Sequence, residues 1–145
     1  MNAPDLHIRT YKPDDLDAVV ALWAACDLTR PWNSPIHDIA FCMDGPSSTL
    51  FIGERAGTIV ATAMVGHDGH RGWIYYLATA PDLQRQGIGG KMVTHAEDWL
   101  REQGVGKLNL MIRDDNETVR DFYISIGYEA EPRIVMAKHL KDGKK

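Results

Sequence analysis

Residues Gln84-Arg85-Gln86-Gly87-Ile88-Gly89-Gly90-Lys91 place three glycines within four positions. They stand between a strand-like run, Trp73 to Ala78, and an amphipathic helical run, Ile88 to Leu100. Glycine tolerates positive φ and lets a backbone come close to a ligand. A helix that begins there directs its unpaired N–H groups and the positive end of its dipole at whatever fills the loop. Such an arrangement binds phosphate. The plainer alternative is a tight strand-to-helix turn whose glycines serve packing, and the flanking residues decide between the two.

Two other phosphate loops fit worse. Walker A ends in Gly-Lys-Ser/Thr, whereas Gly90-Lys91 is followed by Met92, which has no hydroxyl for magnesium. The dinucleotide fingerprint needs a third glycine at position 92 and a place after the first strand, and neither holds.

A chain of 145 residues is long enough for one domain with a real core, so a single domain over residues 1–145 is expected. No apolar run approaches the roughly 20 residues of a membrane span. Met1-Asn2-Ala3-Pro4-Asp5 lacks a charged-then-apolar export pattern, so a cytoplasmic protein with no membrane partner is expected. Cys26 and Cys42 have no metal-type spacing and read as buried free thiols. No metal is expected. The net charge of −4 argues against a nucleic-acid partner and suits a cationic acceptor better than an anionic one.

Leu6 to Tyr11 alternates as a strand does, and Pro13-Asp14-Asp15 opens a helix with Leu16, Val19, Val20 and Trp23 on one apolar face. A loop from Asp27 to Pro35 leads to a short helix over Ile36 to Met43. Thr49 to Glu54 and Thr58 to Val65 form a hairpin about Arg55-Ala56-Gly57, and Trp73 to Ala78 follows as the next strand. After the glycine loop, Ile88, Met92, Val93, Ala96, Trp99 and Leu100 make a helical stripe that stops at Gly104 to Gly106. Lys107 to Ile112 reads as a strand, Asn116 to Ile126 as a helix and Ile134 to Lys138 as a last strand, with room for one more at Tyr128 to Glu131. The order β-α-α-β-β-β-α-β-α-β predicts an α/β fold with a mixed, mostly antiparallel central sheet.

On these residues the chain resembles the GCN5-related N-acetyltransferase (GNAT) superfamily. Tyr76-Leu77-Ala78-Thr79-Ala80-Pro81 followed by Gln84-Arg85-Gln86-Gly87-Ile88-Gly89-Gly90 matches its strand-then-loop signature, Arg/Gln-x-x-Gly-x-Gly/Ala. Asn116 with Phe122-Tyr123-Ile124-Ser125-Ile126-Gly127-Tyr128 is similar to its Asn…Phe-Tyr-x-x-x-Gly-Phe/Tyr ending. Asp27 to Asn33, Gly69 to Gly72 and Tyr75-Tyr76-Leu77 resemble the YpeA-like branch of small bacterial acetyltransferases.

The resemblance implies acetyl-CoA as donor and an amine as acceptor. Gln84, Arg85, Gln86, Gly87, Ile88, Gly89, Gly90 and Lys91 would wrap the pyrophosphate; Arg85 and Lys91 also read as solvated surface cations. Leu77, Ala78 and Thr79 would end a strand splayed from its neighbour, so that pantetheine amides pair with the bared backbone. Leu77 also suits the core. Asn116 reads as an N-cap and as a CoA hydrogen-bond partner, roles that are compatible. Tyr123 sits at the position of the family's general acid, protonating the departing thiolate; packing is its alternative role, one that Phe122 fills better. Asp27, Arg30, Trp32 and Asn33, in the loop that roofs the acceptor site in relatives, and Tyr75 on the strand are the candidate acceptor contacts; Trp32 equally suits loop packing.

Many relatives carry a glutamate on the strand that here has Tyr75 and Tyr76 and no carboxylate. Asp27, His37 and His70 are candidate bases through water, and each has an ordinary structural role as well; none is assigned. The expected function is acetyl transfer to a protein N-terminus, a lysine or a small metabolite, by direct attack in a ternary complex. The alternatives are a non-catalytic acyl-CoA-binding regulatory module and a dimeric interaction protein whose loop stays empty. A monomer or homodimer is expected.

Overall fold

The computed structural model describes residues 5–141. The described chain divides into two compact units, one up to Leu110 and one from Met111 onward.

The first unit is a five-stranded sheet with three helices. Its elements are β1 (His7–Thr10), α1 (Leu16–Ala25), α2 (Pro35–Asp44), β2 (Ser48–Arg55), β3 (Thr58–His67), β4 (Gly72–Thr79), α3 (Ile88–Glu102) and β5 (Leu108–Asn109). The strands lie in the order β1-β2-β3-β4-β5, antiparallel except for the parallel β4–β5 pair, which α3 connects. Ala56 (φ 51°) and Gly57 (φ 80°) turn the β2–β3 hairpin, both residues left-handed as a two-residue turn of this hand requires.

Alternation along β2 assigns the two faces of the sheet. Leu50 and Ile52 join Val19, Leu22 and Trp23 of α1 and Ile39 and Cys42 of α2 in one buried cluster. Phe51, between them, meets the His95 ring of α3 edge-on at 4.4 Å. On α3, Ile88, Met92, Val93, Ala96 and Leu100 are buried as the stripe predicts, while Trp99 is half-buried. The helix lies so close to β4 that a β-carbon at Gly72 would sit 2.5 Å from Leu100 Cδ1. Gly104 (φ 84°) ends it, with the Val105 N–H donating to Leu100 O at 3.0 Å and the Gly104 N–H to Arg101 O at 3.0 Å.

The second unit holds α4 (Glu117–Ser125), closed by the same device at Gly127 (φ 102°). The Tyr128 N–H donates to Tyr123 O at 2.9 Å and the Gly127 N–H to Ile124 O at 3.1 Å.

Three expected strands need correcting. The strand expected over Lys107 to Ile112 is only Leu108–Asn109, and no strand forms at Tyr128 to Glu131 or Ile134 to Lys138. Apolar alternation prepares side chains for a sheet face, but a strand exists only when a neighbour takes its backbone groups. Ile134 and Met136 are each 89% exposed, so this stretch lacks the buried face that such a pattern usually serves.

Candidate acetyl-CoA and acceptor site

β4 is interrupted where the resemblance expects it to be. Thr62 pairs with Ala78 and Met64 with Tyr75, so Ala63 alone stands opposite both Tyr76 and Leu77. This bulge puts Tyr76 at φ 50°, a costly conformation for an aromatic residue. Several contacts hold it there. The Tyr76 ring stacks on Trp23 with centroids 3.8 Å apart and planes 7° from parallel. The Thr62 hydroxyl donates to Tyr76 O at 2.8 Å and accepts from Trp23 Nε1 at 2.8 Å. The Tyr76 phenol donates to Asp38 Oδ2 on α2 at 2.6 Å, and burial together with that carboxylate pushes its pKa far up.

On its other edge β4 pairs with β5 only at Gly72 and Trp73. The β4 edge that the resemblance expects to be open therefore has no strand partner from Ile74 to Thr79 among the described residues. Leu77 and Thr79 are half-buried and Ala78 is buried. Thr79 O accepts from the Cys26 thiol at 3.2 Å and from Gln84 Nε2 at 3.3 Å. Burial pushes the Cys26 thiol up, which keeps it a neutral donor rather than a nucleophile.

The glycine loop follows. Arg85 (φ 67°) and Gly87 (φ 82°) are both left-handed, and Gly87 is the side-chain-free N-cap of α3. The Lys91 N–H donates to Gly87 O at 3.2 Å, while the N–H groups of Ile88, Gly89 and Gly90 have no acceptor among the described residues. Successive donors on such a backbone form a concave anion seat, reinforced by the helix dipole. No acid occupies the first turn of α3, and the exposed Arg85 and Lys91 add positive charge. These features fit a pyrophosphate.

Arg55, at the end of β2, donates from Nη1 to Gln86 Oε1 at 2.8 Å, and its buried Nε has no partner. This third cation at the loop escaped the sequence reading, because a hairpin arginine carries no signal of where its side chain ends.

The loop between α1 and α2 is tied mostly to itself. Asp27 is left-handed (φ 58°) with its side chain 96% exposed. Arg30 Nη1 donates to the carbonyl oxygens of Asp27 and Thr29 at 2.9 and 2.8 Å, and the Asn33 N–H donates to Arg30 O at 3.0 Å. Arg30 thus shapes the loop, while Trp32, Asn33 and Tyr75 are exposed. His37 is exposed with its ring against Phe41, and His70 is exposed in the β3–β4 turn.

In the second unit, Asn116 Oδ1 accepts from the Val119 N–H at 3.2 Å, which is the N-cap role. Tyr123 is buried against Phe122 and Tyr128, edge-on at 5.0 and 5.4 Å. Phe122 is only half-buried, so the packing role expected of Phe122 belongs as much to Tyr123. Burial pushes the Tyr123 phenol well up, which keeps it protonated at neutral pH. Among the described residues, no group of three or more His, Cys, Asp or Glu is placed to hold a metal ion, and no helix is long and apolar enough to cross a membrane.

A strand with an unpaired edge and a strained bulge, leading into a glycine loop at a helix start, is the geometry expected of the acyl-CoA-using transferases. A sequence model of the Acetyltransferase (GNAT) family matches residues 16–128, and the chain belongs to that family. It is an acetyl-CoA-dependent N-acetyltransferase. The chain is 38% identical over 135 residues to an acetyltransferase of Yersinia pestis (strain Pestoides F), covering 93% of this chain and 96% of that one. It also superposes on the aminoglycoside enzyme AAC(6')-Iy in complex with a bisubstrate analog. That match has a TM-score of 0.81 at 12% identity and covers 93% and 98% of the two chains. A predicted acetyltransferase with acetyl-CoA from Clostridium acetobutylicum matches with a TM-score of 0.74 at 16% identity, covering 92% and 96%.

Proposed function

We propose that this acetyltransferase passes the acetyl group directly to a primary amine, of a protein N-terminus, a lysine or a small metabolite, within a ternary complex. The observation that carries the reading is the β4 edge from Ile74 to Thr79, which no strand pairs among the described residues and which leads from a strained bulge towards the unpaired N–H groups at the start of α3. Pantetheine amides would pair along Leu77, Ala78 and Thr79, and the pyrophosphate would sit on Gln84 to Lys91 with Arg55 alongside. The family match spans both compact units, which supports one working domain over residues 1–145. Acetyl-CoA is made and used inside cells, so a cytoplasmic site of action belongs to this reading.

In this reaction the neutral amine attacks the thioester carbon and forms a C–N bond. The C–S bond then breaks, the amine gives up a proton to solvent, the CoA thiolate takes one from the Tyr123 phenol, and the phenol regains a proton from solvent. Asn116 would add a hydrogen bond to CoA beyond its capping role. Trp32, Asn33 and Tyr75 would face the acceptor, with Asp27 and Arg30 shaping the loop around it. AAC(6')-Iy, bound to an analog that joins both substrates, supports direct attack by analogy of fold.

The test is thermal unfolding with and without acetyl-CoA, followed by thiol release against a panel of amines. Ligand at 100-fold excess over its Kd adds about 2.7 kcal/mol, which a melting curve resolves. No shift at millimolar acetyl-CoA would sink the cofactor half. A shift without thiol release for any amine would sink the transfer half.

A further inference from the structure

We infer that Asp38 holds a second ammonium group of the acceptor, which makes that acceptor a diamine or polyamine rather than a monoamine. The inference rests on the acetyl-transfer reading above and deepens it. Asp38 lies on α2, and its Oδ2 is bound to the phenol of Tyr76, the residue that forms the β4 bulge. That phenol is buttressed by its stack on Trp23, so the carboxylate is held in a defined place beside the reacting strand. Oδ1 has no hydrogen-bond partner, and Asp38 enters no ion pair among the described residues. A half-buried carboxylate with an open oxygen and no counter-charge is a ready partner for a cation.

The surroundings favour an ammonium on a carbon chain. Helix α2 carries Asp38 and Asp44 and neither lysine nor arginine, and the whole chain is negative at −4. Phe41, one turn along from Asp38, is 77% exposed and offers an apolar surface beside the carboxylate. Asp38 also stands a full tyrosine side chain away from the β4 backbone, where the thioester is proposed to lie. The ammonium it binds is therefore not the attacking amine. Both charges belong to one acceptor, several carbons apart.

Asp38 near a helix N-terminus also has a purely structural role, through the dipole and the Tyr76 bond. Acceptor selectivity separates the two. The experiment measures kcat/KM by thiol release with acetyl-CoA for 1,5-diaminopentane and 1-aminopentane, in wild type, Asp38→Asn and Tyr76→Phe. Wild type should prefer the diamine by about tenfold or more, the worth of one charge-assisted contact. In Asp38→Asn that ratio should fall to roughly the twofold statistical advantage of two amino groups. Tyr76→Phe keeps the ring stack and frees the carboxylate, so its ratio should lie between; it also carries the test if Asp38→Asn fails to fold. An undiminished diamine preference in a folded Asp38→Asn overturns the inference and leaves acetyl transfer standing. So does a wild type that treats the two amines alike. Thiol release with other amines of the panel but with neither of these two overturns this inference and leaves acetyl transfer standing, whereas acetyl-CoA binding without thiol release from any amine overturns both.

Discussion

Replacing Thr62 by valine keeps the shape of the side chain and removes one oxygen that serves two partners. The Thr62 hydroxyl accepts from Trp23 Nε1 and donates to Tyr76 O, both at 2.8 Å. Thr62 and Trp23 are each 0% exposed, so no water replaces the lost acceptor and the indole N–H is left buried and unpaired. Such an orphan costs about 1–3 kcal/mol. The Tyr76 carbonyl is less enclosed, and its lost bond adds about 0.5–1.5 kcal/mol. The sum, about 1.5–4.5 kcal/mol, should lower Tm by roughly 4–18 °C in a chain of this size. Thr62→Ser is the control: it keeps both hydrogen bonds and loses one buried methyl, worth about 1 kcal/mol. Urea unfolding followed by tryptophan fluorescence measures both variants, with unchanged m-values marking a pure stability effect. Because the network holds Tyr76 at positive φ, Thr62→Val should also weaken acetyl-CoA binding in the fraction that stays folded. A Thr62→Val protein as stable as Thr62→Ser would show that the hydroxyl carries little of the bulge, and the account of the strained strand would fail.

Three further outcomes follow from other parts of the molecule. Gly89→Glu should abolish CoA binding by calorimetry while Tm holds or rises, because an acid in the first turn of α3 favours the helix by about 0.3–1 kcal/mol but repels a phosphate there; normal CoA affinity in that variant would remove the loop assignment. Tyr123→Phe keeps the buried ring and should lower kcat by about 10²–10⁴-fold with CoA Kd little changed, whereas a kcat within a few-fold of wild type would move the acid role elsewhere. Hydrogen bonds from Arg9 Nη1 and Nη2 at 2.8 and 2.9 Å hold the Asp15 carboxyl below its usual range, so its contribution to stability is whole above about pH 4 and is lost as pH falls through the folded value. Urea titrations stepped down in pH should therefore show a shallower acid limb for Asp15→Asn than for wild type, and superimposable slopes would contradict the assignment.

The order of elements through α4, the stripe on α3 and the glycine loop were legible because each depends on neighbours in the chain. Turn glycines, caps and helical spacing act over a few residues, and Asn116 and Gly87 cap their helices where the pattern puts them. Ile134 to Lys138 has a strand's pattern and forms none, because pairing depends on a partner that the pattern does not contain. The same limit hid Asp38, which reads as an ordinary acid in the first turn of a helix and sits 38 residues from the tyrosine that binds it. Arg55 is likewise 31 residues from Gln86, and Trp23 is 39 from Thr62. Local motifs along the chain carried the resemblance to the family and the donor it implies, and marked the glycine loop that is proposed to hold phosphate. Only the folded sheet, by stacking Tyr76 on Trp23 and turning its phenol to Asp38, decided where a carboxylate stands beside β4, since that requires groups far apart in sequence to share one face.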